Sequence, residues 1–173
     1  MATSTLVPVR EYLATAYRPD CDYVDGQLQE RNLGELDHGS LQLAIAVLLN
    51  NKRHEWQIRV VPELRVQVSA DRFRVPDICV LSADAPREQV VRSAPLLCIE
   101  ILSPEDTLSR MVERVHDFLN MGVRQVWIFD PRLRSAMVCE GTAMVEHTSG
   151  QLVLPGTQVT VDLAEVFRVL DEG

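Results

Sequence analysis

The decisive stretch is Arg74-Val75-Pro76-Asp77-Ile78-Cys79-Val80-Leu81, followed by Pro95-Leu96-Leu97-Cys98-Ile99-Glu100-Ile101-Leu102-Ser103-Pro104 and, further on, Gln125-Val126-Trp127-Ile128-Phe129-Asp130-Pro131. Val75 to Leu81 and Leu96 to Leu102 are near-continuous apolar runs of strand length, the pattern of sheet strands covered on both faces. Each carries one carboxylate that such a strand should not want: Asp77 near the start of the first, Glu100 in the middle of the second. Taking an ionised carboxylate out of water costs several kcal/mol unless a partner compensates it. If the two strands are neighbours, both acids can point to one place. Hard oxygen donors from two acids suit Mg²⁺ or Mn²⁺, with the backbone carbonyl of Ile101 as a further ligand. Such an ion lowers the pKa of bound water and neutralises charge on a phosphodiester. The alternative for the same residues is that Asp77 caps a turn and Glu100 pairs with a buried arginine.

Between Leu102 and Gln125 the pattern is helical. Ser103-Pro104-Glu105-Asp106 reads as a start: serine as cap, proline in the first turn, acids next. Leu108, Met111, Val112, Val115, Phe118 and Leu119 share one face, and Gly122 ends the helix. Gln125 to Phe129 is a further buried strand, stopped by Asp130-Pro131. The unit from Leu96 to Phe129 is therefore β-α-β, which predicts parallel strands and a right-handed crossover.

Upstream, residues 6–17 suggest a short helix. Asp25-Gly26 between Tyr23-Val24 and Gln27-Leu28 predicts a tight hairpin closed by Glu30. A strongly apolar helix follows over 36–53, capped by Asp37 or Ser40. Strands are expected at Trp56–Val61, Glu63–Val68 and Val75–Leu81, with a loop from Ser82 to Ala94. Downstream, Arg134 to Val161 reads as short antiparallel strands, and Leu163 to Leu170 as a terminal helix. The fold class expected is mixed α/β, a central mixed sheet flanked by helices with extra antiparallel strands near the C-terminus.

The length of 173 residues predicts one domain over 1–173, with a core large enough to stand without staples. No apolar run approaches the roughly 18 residues of a membrane span, and the first residues lack a signal-peptide pattern. A cytoplasmic protein is expected. Cys21, Cys79, Cys98 and Cys139 form no C-x-x-C pair and sit near no histidine at zinc spacing, so they read as small hydrophobes. The net charge of −8 argues against a wide nucleic-acid grip. Contact with a polyanion would need a local basic patch or metal ions. Sixteen of the seventeen basic residues are arginine, and Lys52 is the lone lysine, a small supply for catalysis.

Pro76-Asp77, Glu100-Ile101-Leu102-Ser103-Pro104, Gly122-Val123 and Trp127-Ile128-Phe129-Asp130-Pro131 together resemble the restriction endonuclease family of Uma-two type, within the PD-(D/E)XK nuclease superfamily. Tyr23-Val24-Asp25-Gly26 with Glu30, His38-Gly39, and Leu163 with Val166-Phe167 are similar as well, so the resemblance runs from about Arg10 to Phe167. It implies a restriction-endonuclease-like fold and Mg²⁺-dependent phosphodiester cleavage, with Asp77 and Glu100 at the two acidic positions. The pattern is broken at the lysine expected two residues after the second acid, where Leu102 stands. The family's substitute lysine on the next helix matches Arg114. Arginine holds a phosphate or carboxylate well but cannot act as a base.

Other candidates are Glu30, which can support the metal from the hairpin or be an exposed strand-end acid, and His38, which can assist at a phosphate or be a capping or packed histidine. Glu63 and Asp130 read as weaker acidic candidates, Asp130 chiefly as a turn cap. His54, His116 and His147 read as surface residues, Trp56 and Trp127 as core. Two functions remain. One is a Mg²⁺-dependent DNA endonuclease acting as a homodimer, with Asp77, Glu100, Arg114 and His38 catalytic and with Asp77, Glu100, Ile101 and Glu30 at the metal. The other is a non-catalytic dimeric binding or assembly protein that kept the fold.

Overall fold

The computed structural model describes residues 6–31 and 35–171. The elements in chain order are α1 (Val9–Ala14), β1 (Cys21–Val24), β2 (Gln27–Glu30), α2 (Leu36–Asn51), β3 (Ile58–Pro62), β4 (Val66–Ser69), β5 (Arg72–Arg74), β6 (Ile78–Ser82), β7 (Leu97–Ile101), α3 (Leu108–Met121), β8 (Gln125–Asp130), β9 (Ser135–Glu140), β10 (Ala143–His147), β11 (Gln151–Val153), β12 (Thr160–Asp162) and α4 (Leu163–Phe167), which runs into a 3₁₀ turn over Arg168–Asp171.

A six-stranded mixed sheet in the order β10-β9-β8-β7-β6-β3 forms the centre. β7 and β8 are parallel, as the β-α-β reading predicts, and every other pair in this sheet is antiparallel. Side chains alternate across it. Ile78, Val80, Leu97, Ile99 and Ile101 pack with Leu41, Ile45 and Leu49 of α2 on one face. Cys79, Leu81 and Cys98 pack with Met111, Val115 and Phe118 of α3 on the other. Alternation along β7 therefore turns Glu100 toward α3. All four cysteines are free and buried, Cys79, Cys98 and Cys139 in the layer facing α3 and Cys21 in β1.

A smaller four-stranded sheet, β2-β1-β5-β4, stands beside the first. Its hairpin turns through Asp25 at φ 50° and Gly26 at φ 89°, both in the left-handed region that a two-residue hairpin needs. Tyr12, Tyr23 and Phe73 pack into a cluster of its own.

Several boundaries differ from the sequence reading. The first helix is confined to Val9–Ala14. Arg72–Arg74 is a strand of the small sheet, separate from β6, because Val75-Pro76-Asp77 carries the chain between the sheets and proline gives the ladder no donor. The third helix begins at Leu108, capped by the Thr107 side chain. Ser103 does not cap it: its N–H is instead held by Asp106 at 2.7 Å. The N-cap of α2 is Glu35, with no side-chain cap bond, so neither Asp37 nor Ser40 caps it. Gly122 does end α3, in the left-handed conformation at φ 108°. No described helix is long and apolar enough to cross a membrane.

Candidate active site

The two carboxylates that opened the reading meet. β6 and β7 are antiparallel neighbours with Ile78 opposite Ile99, so one step further sets Asp77 opposite Glu100, where the ladder ends. Both are almost wholly buried, at 2% and 3% exposure. They line a cavity of about 340 Å³ between the two sheets and the starts of α2 and α3.

Protein cations already face both acids. Asp77 Oδ2 accepts the Ile101 N–H at 2.7 Å and lies 3.3 Å from His38 Nε2, while Oδ1 takes a short hydrogen bond from Arg31. Burial raises the pKa of Asp77, but the His38 bond, the Arg31 charge and the Ile101 N–H together hold it below the usual carboxylate range. The same Asp77 bond raises the pKa of His38 against the opposing effect of its own burial. Gln42, one turn along α2, fixes the Asp77 backbone by donating to its carbonyl at 3.0 Å.

Arg114 comes from α3, and its Nη2 donates to both Glu100 oxygens, at 2.7 and 2.9 Å, and to the Val75 carbonyl at 3.0 Å. Its Nη1 bonds Asp22 of β1. Burial pushes Glu100 up to about 7, against the downward pull of Arg114. Asp22, 1% exposed, also takes the Val75 N–H at 2.9 Å and Arg74 Nη1 at 3.0 Å. Arg74 continues the chain of charges to Asp117 of α3 at 2.7 Å. A ladder of alternating charge thus ties β1, β5 and α3 to the strand that carries Glu100.

The remaining candidates sit around the rim. Glu30 and Glu63 are exposed residues lining the same cavity, and Glu63 lies 3.7 Å from Arg31. Arg110 is exposed and also lines it. Asp130 lies elsewhere and caps a turn, accepting the N–H groups of Arg132 and Leu133 at 2.8 and 3.2 Å.

Asp22, Arg31 and Gln42 are absent from the sequence reading. Asp22 was open to discovery: Cys21-Asp22-Tyr23-Val24 is wholly buried, and a carboxylate inside a strand carries the signal that singled out Glu100. Arg31 follows the hairpin with no periodicity to place it.

The donor chemistry fits a hard divalent cation. Asp77 and Glu100 keep unused lone pairs beyond their present hydrogen bonds. Among the described residues no group of three or more His, Cys, Asp or Glu side chains forms a ready metal cage.

The family model described as Uma2, putative restriction endonuclease, matches residues 9–166. Among solved structures, that of a putative nuclease from Anabaena variabilis ATCC 29413 superposes with a TM-score of 0.83 at 22% identity, over 94% of this chain and 99% of that one. This likeness establishes the restriction-endonuclease-like fold. A DrdV–DNA complex matches at a TM-score of 0.43 and 16% identity, over 76% of this chain and 10% of that one, too distant to support an argument. No curated protein matches the chain. With the model spanning nearly all of the described sequence, the chain belongs to the Uma2 family of putative restriction endonucleases.

Proposed function

We propose that this chain is a Mg²⁺- or Mn²⁺-dependent DNA endonuclease that hydrolyses phosphodiester bonds and works as a homodimer. The observation that carries the reading is the pairing of Asp77 with Glu100 across the open end of the β6–β7 ladder, inside a cavity. Asp77 and Glu100 are the residues to hold the ion, with the Ile101 carbonyl and Glu30 in support. The ion, when bound, supplies an activated water and charge neutralisation at the phosphate.

The chain's own groups have separate tasks. Asp77 is oriented by the Ile101 N–H and by His38, so its carboxylate does not have to reorganise on binding. Arg114 fixes Glu100 and places a permanent positive charge beside it, suited to a scissile phosphate. Arg31 and Arg110 add positive charge at a cavity otherwise rich in acids, which offsets some of the repulsion a polyanion meets from a protein of net charge −8. The Asp77 bond raises the pKa of His38, which favours its protonated form, and sets it in the cavity as the proton donor of this reading.

One observation favours the second reading, a dimeric binding or assembly protein that has lost catalysis: both acids are already neutralised by Arg31, His38 and Arg114, and lysine is missing from the site. Incubation of the protein with plasmid and with single-stranded DNA, in Mg²⁺ or Mn²⁺, beside an Asp77→Ala control separates the two. Cleavage by the parent alone supports the nuclease. Absence of cleavage, or equal cleavage by the control, sinks it.

A further inference from the structure

Helix α2 is apolar on two opposite sides, and the domain uses only one. Leu41, Ile45 and Leu49 are fully buried against the central sheet. At about 100° per residue, Leu36, Leu43 and Val47 fall within about 40° of each other on the other side. These three are 83%, 67% and 48% exposed. Beside Leu43 the surface is low: a Cβ added at Gly39 would meet nothing within 4 Å, and the neighbours are the small residues Ser40 and Ala44. Small residues at a contact let a second helix approach closely.

Charge identifies that second helix. Glu35 and Asp37 stand exposed at the N-terminal end of α2; at its C-terminal end Lys52 Nζ is engaged by Glu55 at 2.9 Å and Arg53 is the exposed cation without an acidic partner among the ion pairs of the described residues. Arg53 Nη1 donates to the Asn50 carbonyl at 3.0 Å, and Asn50 lies about 40° from Leu36 around the helix, so this cation sits on the apolar stripe's side. Laid antiparallel to itself, the helix brings each acidic end to the other's basic end and opposes the two macrodipoles favourably. A two-fold contact of this kind is self-complementary. A parallel copy would set like charges together.

We propose that the exposed face of α2 is the surface through which two copies of this chain associate, with the helices antiparallel across a two-fold axis near Leu43. The inference rests on the homodimer part of the proposed function and is independent of the nuclease part. The opposite side of the same helix carries His38 and Gln42 to Asp77, so the dimer contact braces the helix that orients the site.

Light scattering on the full chain across a concentration range tests this. The parent is expected at twice the chain mass and Leu43→Asp at the chain mass, with unchanged circular dichroism and melting because Leu43 is a surface residue. In an oxidised Leu43→Cys variant a disulfide-linked dimer is expected, and the native cysteines, all buried, do not compete. Glu35→Lys with Asp37→Lys should weaken association by about tenfold, and adding Lys52→Glu with Arg53→Glu should restore it. A monomeric parent overturns both the inference and the homodimer reading. A dimer that survives Leu43→Asp overturns the inference alone and moves the contact elsewhere, such as the exposed edge strand β10. Failure of the fourfold charge reversal to restore association overturns the antiparallel arrangement.

Discussion

Arg114 places one guanidinium nitrogen between the two oxygens of Glu100, at 2.7 and 2.9 Å, while its other terminal nitrogen holds Asp22. The position where the family pattern expects a lysine is thus filled by a residue that joins two buried acids and the Val75 carbonyl at once. Lysine offers a point charge on a flexible stem and cannot span that set. The sequence leaves two outcomes open for Arg114→Lys: a rise in activity if arginine fills the lysine's place poorly, or a fall if it does a task lysine cannot. The geometry favours the second: Arg114→Lys should lower both stability and cleavage, and Arg114→Ala should cost about 3–5 kcal/mol by leaving buried carboxylates unpaired. Urea denaturation and cleavage rates of the two variants check this. Higher activity in Arg114→Lys would show that the site lacks a lysine rather than uses an arginine.

Asp22 is the member of the site whose loss should be felt without any contact to substrate. It holds Arg74, Arg114 and the Val75 N–H. Asp22→Ala removes one negative charge from between two buried or half-buried guanidinium groups and should destabilise the protein by about 3–5 kcal/mol. Asp22→Asn keeps the Val75 bond and should cost less. Equilibrium unfolding of the two variants gives the comparison.

The pH dependence of stability in the metal-free protein follows from three groups. Glu100 is raised to about 7, so the native state holds its proton more tightly than the unfolded chain does. That contribution is full below the ordinary glutamate value and is lost as pH rises to about 7 and beyond. His38 is also raised: its contribution is full below the ordinary histidine value and is lost as pH rises through the folded one. Asp77 is lowered, so its contribution is present above the ordinary aspartate value and lost as pH falls through the folded one. The melting temperature in EDTA should therefore fall by several degrees between about pH 5 and pH 8. Glu100→Gln should flatten much of that slope. A melting temperature that rises over this interval contradicts the assignment.

Gly122 tests the backbone independently of the site. It ends α3 at φ 108°, and an added Cβ would meet only Ala94 at an ordinary 3.5 Å. Gly122→Ala is therefore strained by conformation rather than by crowding, at about 1–2 kcal/mol. Thermal melts should show that loss while cleavage at permissive temperature stays unchanged.

The central β-α-β unit was legible because its strands are continuous apolar runs and its helix has one clear apolar side; β7 and β8 fall within one residue of their expected ends. The start of α3 was misplaced because Ser103-Pro104-Glu105-Asp106 carries every start signal, yet Asp106 uses its carboxylate to close a turn on Ser103. Strand β5 was missed because Arg72-Phe73-Arg74 carries two charged residues, and Val75 was read into the next strand although Val75-Pro76-Asp77 is the crossing between the sheets. In the site, a buried carboxylate is a visible anomaly, so Asp77 and Glu100 stood out. Of their partners, Arg114 and His38 were named, but Arg31, just past β2, was not, because no local pattern in a sequence records which arginine a distant acid will meet.

The central claim, that Asp77 and Glu100 form a working hydrolytic site, is tested most directly by the rate of cleavage of an end-labelled DNA duplex in Mg²⁺ by the parent and by Glu100→Gln, two proteins of nearly identical shape. The account predicts cleavage by the parent and a rate at least about 100-fold lower in the variant, a loss of about 3 kcal/mol in transition-state stabilisation. Equal rates, or no cleavage by a folded parent protein, would contradict it.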